Sequence, residues 1–248
     1  MDKSLKPGVA ALLLCLLTLN LFPQSRPALN KPAENFTQVL SSAQNLLSEG
    51  HYSRAQKMFL QSLSLAKTPE EKKSALFSLA ESNASLGQLA QAYERYYECL
   101  VIAKKVGDSR TIKYCETSLQ ILDLFNEAKT HRQANKDEMA LVSINKAIVL
   151  CDSIDNDILK MKCLRRKGMS LLTLNEMDEY LKISLEANKI AKRLKNSYEI
   201  IITLNNIGYY HFANNNLTLA IDYFSQGISF INEDTQPQDI FDIYYNLG

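Results

Sequence analysis

Apolar residues recur along most of this chain at intervals of three and four, and short polar clusters interrupt them at regular points. That pattern predicts amphipathic helices joined by tight turns. Val39, Ala43, Leu46 and Leu47 mark one helix, which Glu49-Gly50 ends, and Ala55, Phe59, Leu63 and Leu65 mark the next. Thr68-Pro69-Glu70-Glu71 opens another: the Thr68 hydroxyl suits a cap, and Pro69 suits the first turn, where no backbone N–H is needed. Leu76, Leu79, Ala80 and Asn83 follow, then Gly87, then Ala92, Tyr96, Cys99 and Leu100. Residues 107–120 keep helical spacing through Ile112, Cys115 and Leu119 and run on to Leu122, so this helix is expected to be about two turns longer than its neighbours. Further turns are visible at Asn135-Lys136-Asp137, Asp155-Asn156-Asp157, Asn175-Glu176-Met177-Asp178, Lys195-Asn196-Ser197 and Asn214-Asn215-Asn216. Asp, Asn and Ser at such points accept hydrogen bonds from the free N–H groups of the helix that follows.

The pattern repeats. A step of 40 residues carries Gly208 to Gly168 in one direction and to Gly248 in the other, and a further step back reaches Ala128. Behind these come Ala220, Phe224 and Gly227, then Tyr180, Ser184 and Ala187, then Ala140, Ile144 and Ala147. Small residues in this register belong where two helices cross, and a fixed period of this length signals a stacked-repeat architecture. The units fall at about 36–69, 73–107, 117–154, 161–195 and 201–234, with an incomplete sixth at 238–248. The sixth stops in its first helix, so the expectation for Phe241, Tyr244 and Leu247 is cover from further chain, cover from a partner, or a frayed carboxyl terminus.

Residues 36–248 resemble the tetratricopeptide repeat (TPR). Tyr244-Tyr245-Asn246-Leu247-Gly248 matches the opening of its consensus, and Leu204, Ile207, Gly208, Ala220 and Phe224 match the rest. The chain departs from that consensus in having no Trp, in carrying Tyr180 where a small residue is usual, and in its 40-residue period. Longer units of this kind are similar to those of bacterial peptide-sensing regulators and kinesin light chains. The resemblance implies an all-α fold, a right-handed α-α superhelix of antiparallel helix pairs, and a concave face lined by the first helix of each pair.

The amino terminus follows a different rule. Asp2, Lys3 and Lys6 precede an apolar run over 9–22, broken only by Thr18 and Asn20, and Pro23-Gln24-Ser25-Arg26 closes it. A basic start, a short apolar stretch and a polar exit read as an export signal over 1–25 followed by a linker over 26–35. The protein is then expected in the periplasm or outside the cell; the alternative is a membrane anchor formed by 9–22. Leu12-Leu13-Leu14 before Cys15 excludes a lipoprotein signal. Three Asn-x-Ser/Thr sequons, at Asn35, Asn83 and Asn216, are acceptors only in a eukaryotic secretory pathway.

Charge narrows the function classes. The 248 residues carry 28 basic and 27 acidic side chains, a balance that points away from bulk nucleic-acid binding. Of the three histidines, His131 and His211 share one repeat position, which suits a ring packed at a helix crossing. Asp152, Asp155 and Asp157 lack the spacing of a calcium loop and suit helix caps. No Gly-rich phosphate loop and no metal-ligand spacing is present, so the expectation is a non-enzyme with no cofactor and no metal.

The register places Asn126, Arg166, Asn206 and Asn246 at one concave position, with Lys129, Arg132, Lys162 and Arg165 nearby and Tyr209 and Phe212 beyond. An amide both donates to and accepts from a peptide backbone, cations steer carboxylates, and rings supply buried area. Asn126, Lys162 and Arg166 also match three places of the carboxylate clamp of chaperone-binding TPRs, but Phe77 and Glu81 stand where that clamp needs Lys and Asn. The function expected is a protein- or peptide-binding scaffold acting outside the cytoplasm on an extended acidic segment. The alternative is a sensory ectodomain of a bacterial signalling or transcriptional regulator. Finally, Cys99 and Cys115 lie eight residues either side of Gly107, and Cys151 and Cys163 six either side of Asp157. Each pair is expected at similar depth on consecutive helices, as a disulfide or as small buried thiols.

Overall fold

The computed structural model describes residues 35–232. The expected export signal, the linker up to residue 34 and the incomplete sixth unit lie outside the described residues. Within them the chain forms ten helices and no strand: α1 (Phe36–Ser48), α2 (Tyr52–Leu65), α3 (Pro69–Ser85), α4 (Leu89–Val106), α5 (Ser109–Gln133), α6 (Asp137–Ser153), α7 (Asp157–Thr173), α8 (Met177–Arg193), α9 (Ser197–Ala213) and α10 (Leu217–Ile228). Each helix packs against the next. The result is an all-α superhelix of five antiparallel pairs of the tetratricopeptide type. The odd-numbered helices form its inner layer, where α1 also meets α3 and α5 meets α7. Helix α5 has 25 residues against 17 in α7 and α9, the two extra turns the spacing predicts.

Local chemistry sets the boundaries. Asn35, Thr68, Asp108, Asn156 and Asn196 each accept a hydrogen bond from the backbone three residues on. Thr68 and Glu71 complete a reciprocal capping box. All but one of the turns share one geometry. In eight of the nine, a single residue takes positive φ: Gly50, Gly87, Gly107, then Asn135, Asp155, Asn175, Lys195 and Asn215 at a strict spacing of 20; the α2–α3 turn instead runs extended through Ala66 and Thr68. The residue after the positive-φ one returns its N–H to the last turn of the helix, as in Lys136 to His131 and Asn196 to Ala191, which satisfies carbonyls the helix leaves free. Asn and Asp tolerate this conformation better than other side chains, so Lys195 is the strained member of the series.

The core is the repeat register made solid. Ala43 meets α2 at Ala55, and the same positions recur as Ala80 with Ala92 and Ala128 with Ala140, all essentially without solvent exposure. Gly168 faces Tyr180 and Ile183, which explains how a large ring is tolerated there: the missing Cβ leaves its space. Gly208 lies so close to the Phe224 ring that a Cβ would collide with it. His211 stacks on Tyr223 with ring centroids 5.4 Å apart, the packed ring expected at that position.

One feature exceeds the repeat pattern. Helix α3 touches α7, two pairs further along. The Ser85 carbonyl at the end of α3 accepts from Lys162 Nζ and from Asn196 Nδ2, both at 3.2 Å. The Tyr52 hydroxyl donates to the Leu194 carbonyl. A Cβ on Gly50 would run into the Lys195 carbonyl, so the first turn of the array is seated directly on the turn between α8 and α9. The superhelix therefore winds tightly enough for its first two pairs to close against its fourth and fifth.

Candidate functional site on the inner wall

Closure divides the inner wall into a sealed part and an accessible part. In the sealed part Lys162 is 1% exposed and its ammonium binds Glu199, which is 0% exposed. Arg165 adds a second cation 3.8 Å from Glu199 and lies over the Tyr198 ring, as does Lys162. Burial pushes the Glu199 carboxyl up, but the charges of Lys162 and Arg165 and the Lys162 hydrogen bond outweigh it and hold it below the usual range. The sequence reading places Lys162 in an open groove; the structure corrects this. Its charge is consumed inside the closure, because the Ser85 carbonyl and Glu199 arrive from two other units to receive it.

A second buried group lies on α3. Glu81 accepts from the Tyr96 and Tyr114 hydroxyls, and Phe77 packs against both rings at centroid distances of 6.5 and 5.0 Å. Burial raises the Glu81 carboxyl despite the two donors. The residues that break the clamp pattern, Phe77 and Glu81, thus form a structural cluster. Asn83 is buried beside it and accepts from Gln56, so its sequon is not an exposed acceptor.

The accessible part centres on Arg166. Its guanidinium sits 4.6 Å over the Phe125 ring of α5, and its Nε is buried with no hydrogen-bond partner. No ion pair among the described residues involves it; burial and the like charges of Arg165 and Arg132 lower its pKa. Arg132 bridges to Asp137 at 3.1 Å and reaches the Met169 sulfur of α7 at 3.7 Å. The structure therefore brings Arg132, Arg165 and Arg166 into one positive field, with Arg166 lacking a counter-charge. Asn126 and Lys129 are exposed on α5, and Asn206 is half-buried on α9. Tyr209 and Phe212 are 38% and 55% exposed. The sequence reading missed Phe125, Tyr198 and Glu199. Phe125 was readable, being the residue before Asn126 on the same helix; Glu199 was hidden by its position as the third residue of a capped helix, where an acid is ordinary.

No protein-family profile matches the chain, and no curated protein matches it. Solved structures similar to it include a Rap protein complexed with the competence and sporulation factor, at 13% identity over 84% of this chain and 56% of that one, TM-score 0.46. Another is NprR in complex with its cognate peptide NprX, at 15% identity over 98% and 66%, TM-score 0.44. A third is YrrB, a TPR protein with an unusual peptide-binding site, at 14% identity over 85% and 91%, TM-score 0.37. The chain spans just over half of the Rap protein's length.

Proposed function

We propose that this protein is a non-catalytic binding solenoid whose inner wall takes an extended peptide or protein tail bearing a carboxylate, with Arg166 as the anchor. The observation that carries this reading is the unpaired state of Arg166. A desolvated donor without an acceptor costs about 1–3 kcal/mol, and more when it is charged. Here the group is also raised in energy by two neighbouring arginines. A ligand carboxylate supplies two acceptors in the geometry a guanidinium matches. The exposed amide of Asn126 and the half-buried amide of Asn206 suit backbone contacts, and the exposed rings of Tyr209 and Phe212 suit apolar ones. Lys162 has no part in this site.

The test is an array of random 12-residue peptides, each made with a free carboxyl terminus and as the amide, probed with the full chain at low and high salt. Hits should be acidic or carboxyl-terminal, weak, and salt-sensitive. Arg166→Met keeps the stem over Phe125 and removes the charge; it should lower affinity roughly tenfold or more, as expected for a charge-assisted pair. Peptides that bind this variant and the parent equally would overturn the assignment.

A further inference from the structure

The four buried cysteines remain unexplained by this function. All four are thiols in the structure, and none is exposed. They are not scattered. Cys99 on α4 and Cys115 on α5 lie on helices packed against each other, as do Cys151 on α6 and Cys163 on α7, and all four belong to one buried cluster in which the thiols of each pair are near enough to shift each other's ionisation. These are the two pairings that symmetry about Gly107 and Asp157 predicts. Each pair joins the second helix of one unit to the first helix of the next, so both lie at junctions between units. Such junctions are where a stacked array bends, since each unit contacts mainly its neighbours.

We infer that Cys99 with Cys115, and Cys151 with Cys163, are two disulfide-forming sites that lock consecutive junctions of the solenoid when the chain folds in the presence of a low-molecular-weight disulfide. Before the helices close, either thiol of a pair can supply the first thiolate. The Cys99 thiolate attacks one sulfur of glutathione disulfide, forms a mixed disulfide and expels glutathione thiolate, which takes up a proton. Cys115 then loses its proton to solvent as its sulfur attacks the Cys99 sulfur and expels the second glutathione. Each protein pair loses two hydrogens, and one glutathione disulfide is reduced by two electrons to two glutathione molecules. Because all four sulfurs are buried in the folded chain, the reaction belongs to folding, before α4–α5 and α6–α7 close.

The experiment uses the full chain carrying Cys15→Ser, so that only these four thiols titrate. It is unfolded, reduced and refolded in a glutathione redox buffer, quenched with an alkylating agent under denaturing conditions, and read by intact mass and peptide mapping. The expected result is no alkylated cysteine and two bridges, Cys99–Cys115 and Cys151–Cys163. The oxidised form should melt higher than the same chain refolded under excess reductant, by about 5–10 °C for short loops of this kind. In Cys115→Ser, Cys99 should become alkylated while Cys151–Cys163 still forms. Four alkylated thiols in a folded, helical product would overturn the inference, and so would crossed pairing in either form. None of these outcomes depends on whether Arg166 binds a carboxylate.

Discussion

Lys162 and Glu199 show what a buried charge does when an opposite charge is held beside it in a fixed place. Taking both from water is costly, and their attraction repays that cost only while both are present. Replacing Lys162 alone with Met leaves a carboxylate at 0% exposure with only Arg165 nearby, and should destabilise the fold by about 3–5 kcal/mol in urea titration. Adding Glu199→Leu should recover most of the loss; a double variant no better than the single one would show that the pair does not act as a unit. The pH dependence has a definite sign. Glu199 is held below its ordinary value of 4.5, so its contribution is present above that pH and disappears as pH falls through the folded value. Glu81 has the opposite sign: raised by burial, it costs stability as pH rises above 4.5. The double variant should therefore be less sensitive to mild acid than the parent.

At the level of the helices and their turns, the sequence was informative where contacts are local. The alanines and glycines at helix crossings, the long α5 and the caps at Asn156 and Asn196 all depend on residues within about 20 positions, so periodicity exposes them. The seat between the first turn and the α8–α9 turn was not legible, since its bonds span up to 142 residues and depend on curvature summed over several pairs. A trace of it was nevertheless present: Gly50 stands where the equivalent later turns carry Asn135, Asn175 and Asn215. This separates two glycines of similar φ. Gly107 has nothing near its missing Cβ, so Gly107→Ala should cost only the left-handed strain, about 1–2 kcal/mol. Gly50→Ala adds the collision with the Lys195 carbonyl and should cost clearly more. Equal losses in thermal or urea unfolding would mean that the seat does not form in solution.

Across the described solenoid, tight winding decides which inner-wall residues remain available to a ligand. Sequence register alone put Lys162 and Arg166 on the same footing; closure separates them, because Ser85 reaches Lys162 from 77 residues away, whereas Arg166 lies on the Phe125 ring with its Nε lacking a hydrogen-bond partner. Lys162→Glu should set two carboxylates against each other at the closure. Small-angle scattering should then show a larger radius of gyration at unchanged helix content by circular dichroism, and an unchanged radius would argue that the closure is held elsewhere. The bond from Tyr52 to Leu194 also bears on how such a chain can evolve. Open arrays gain and lose units freely, because a duplicated unit meets the same neighbours as before. Here an inserted pair between α3 and α7 would carry Ser85 past Lys162 and leave Gly50 facing the wrong turn. The number of pairs between these points is thus fixed by geometry, and descent with change at this locus should proceed by substitution within units while duplication and deletion of units are selected against.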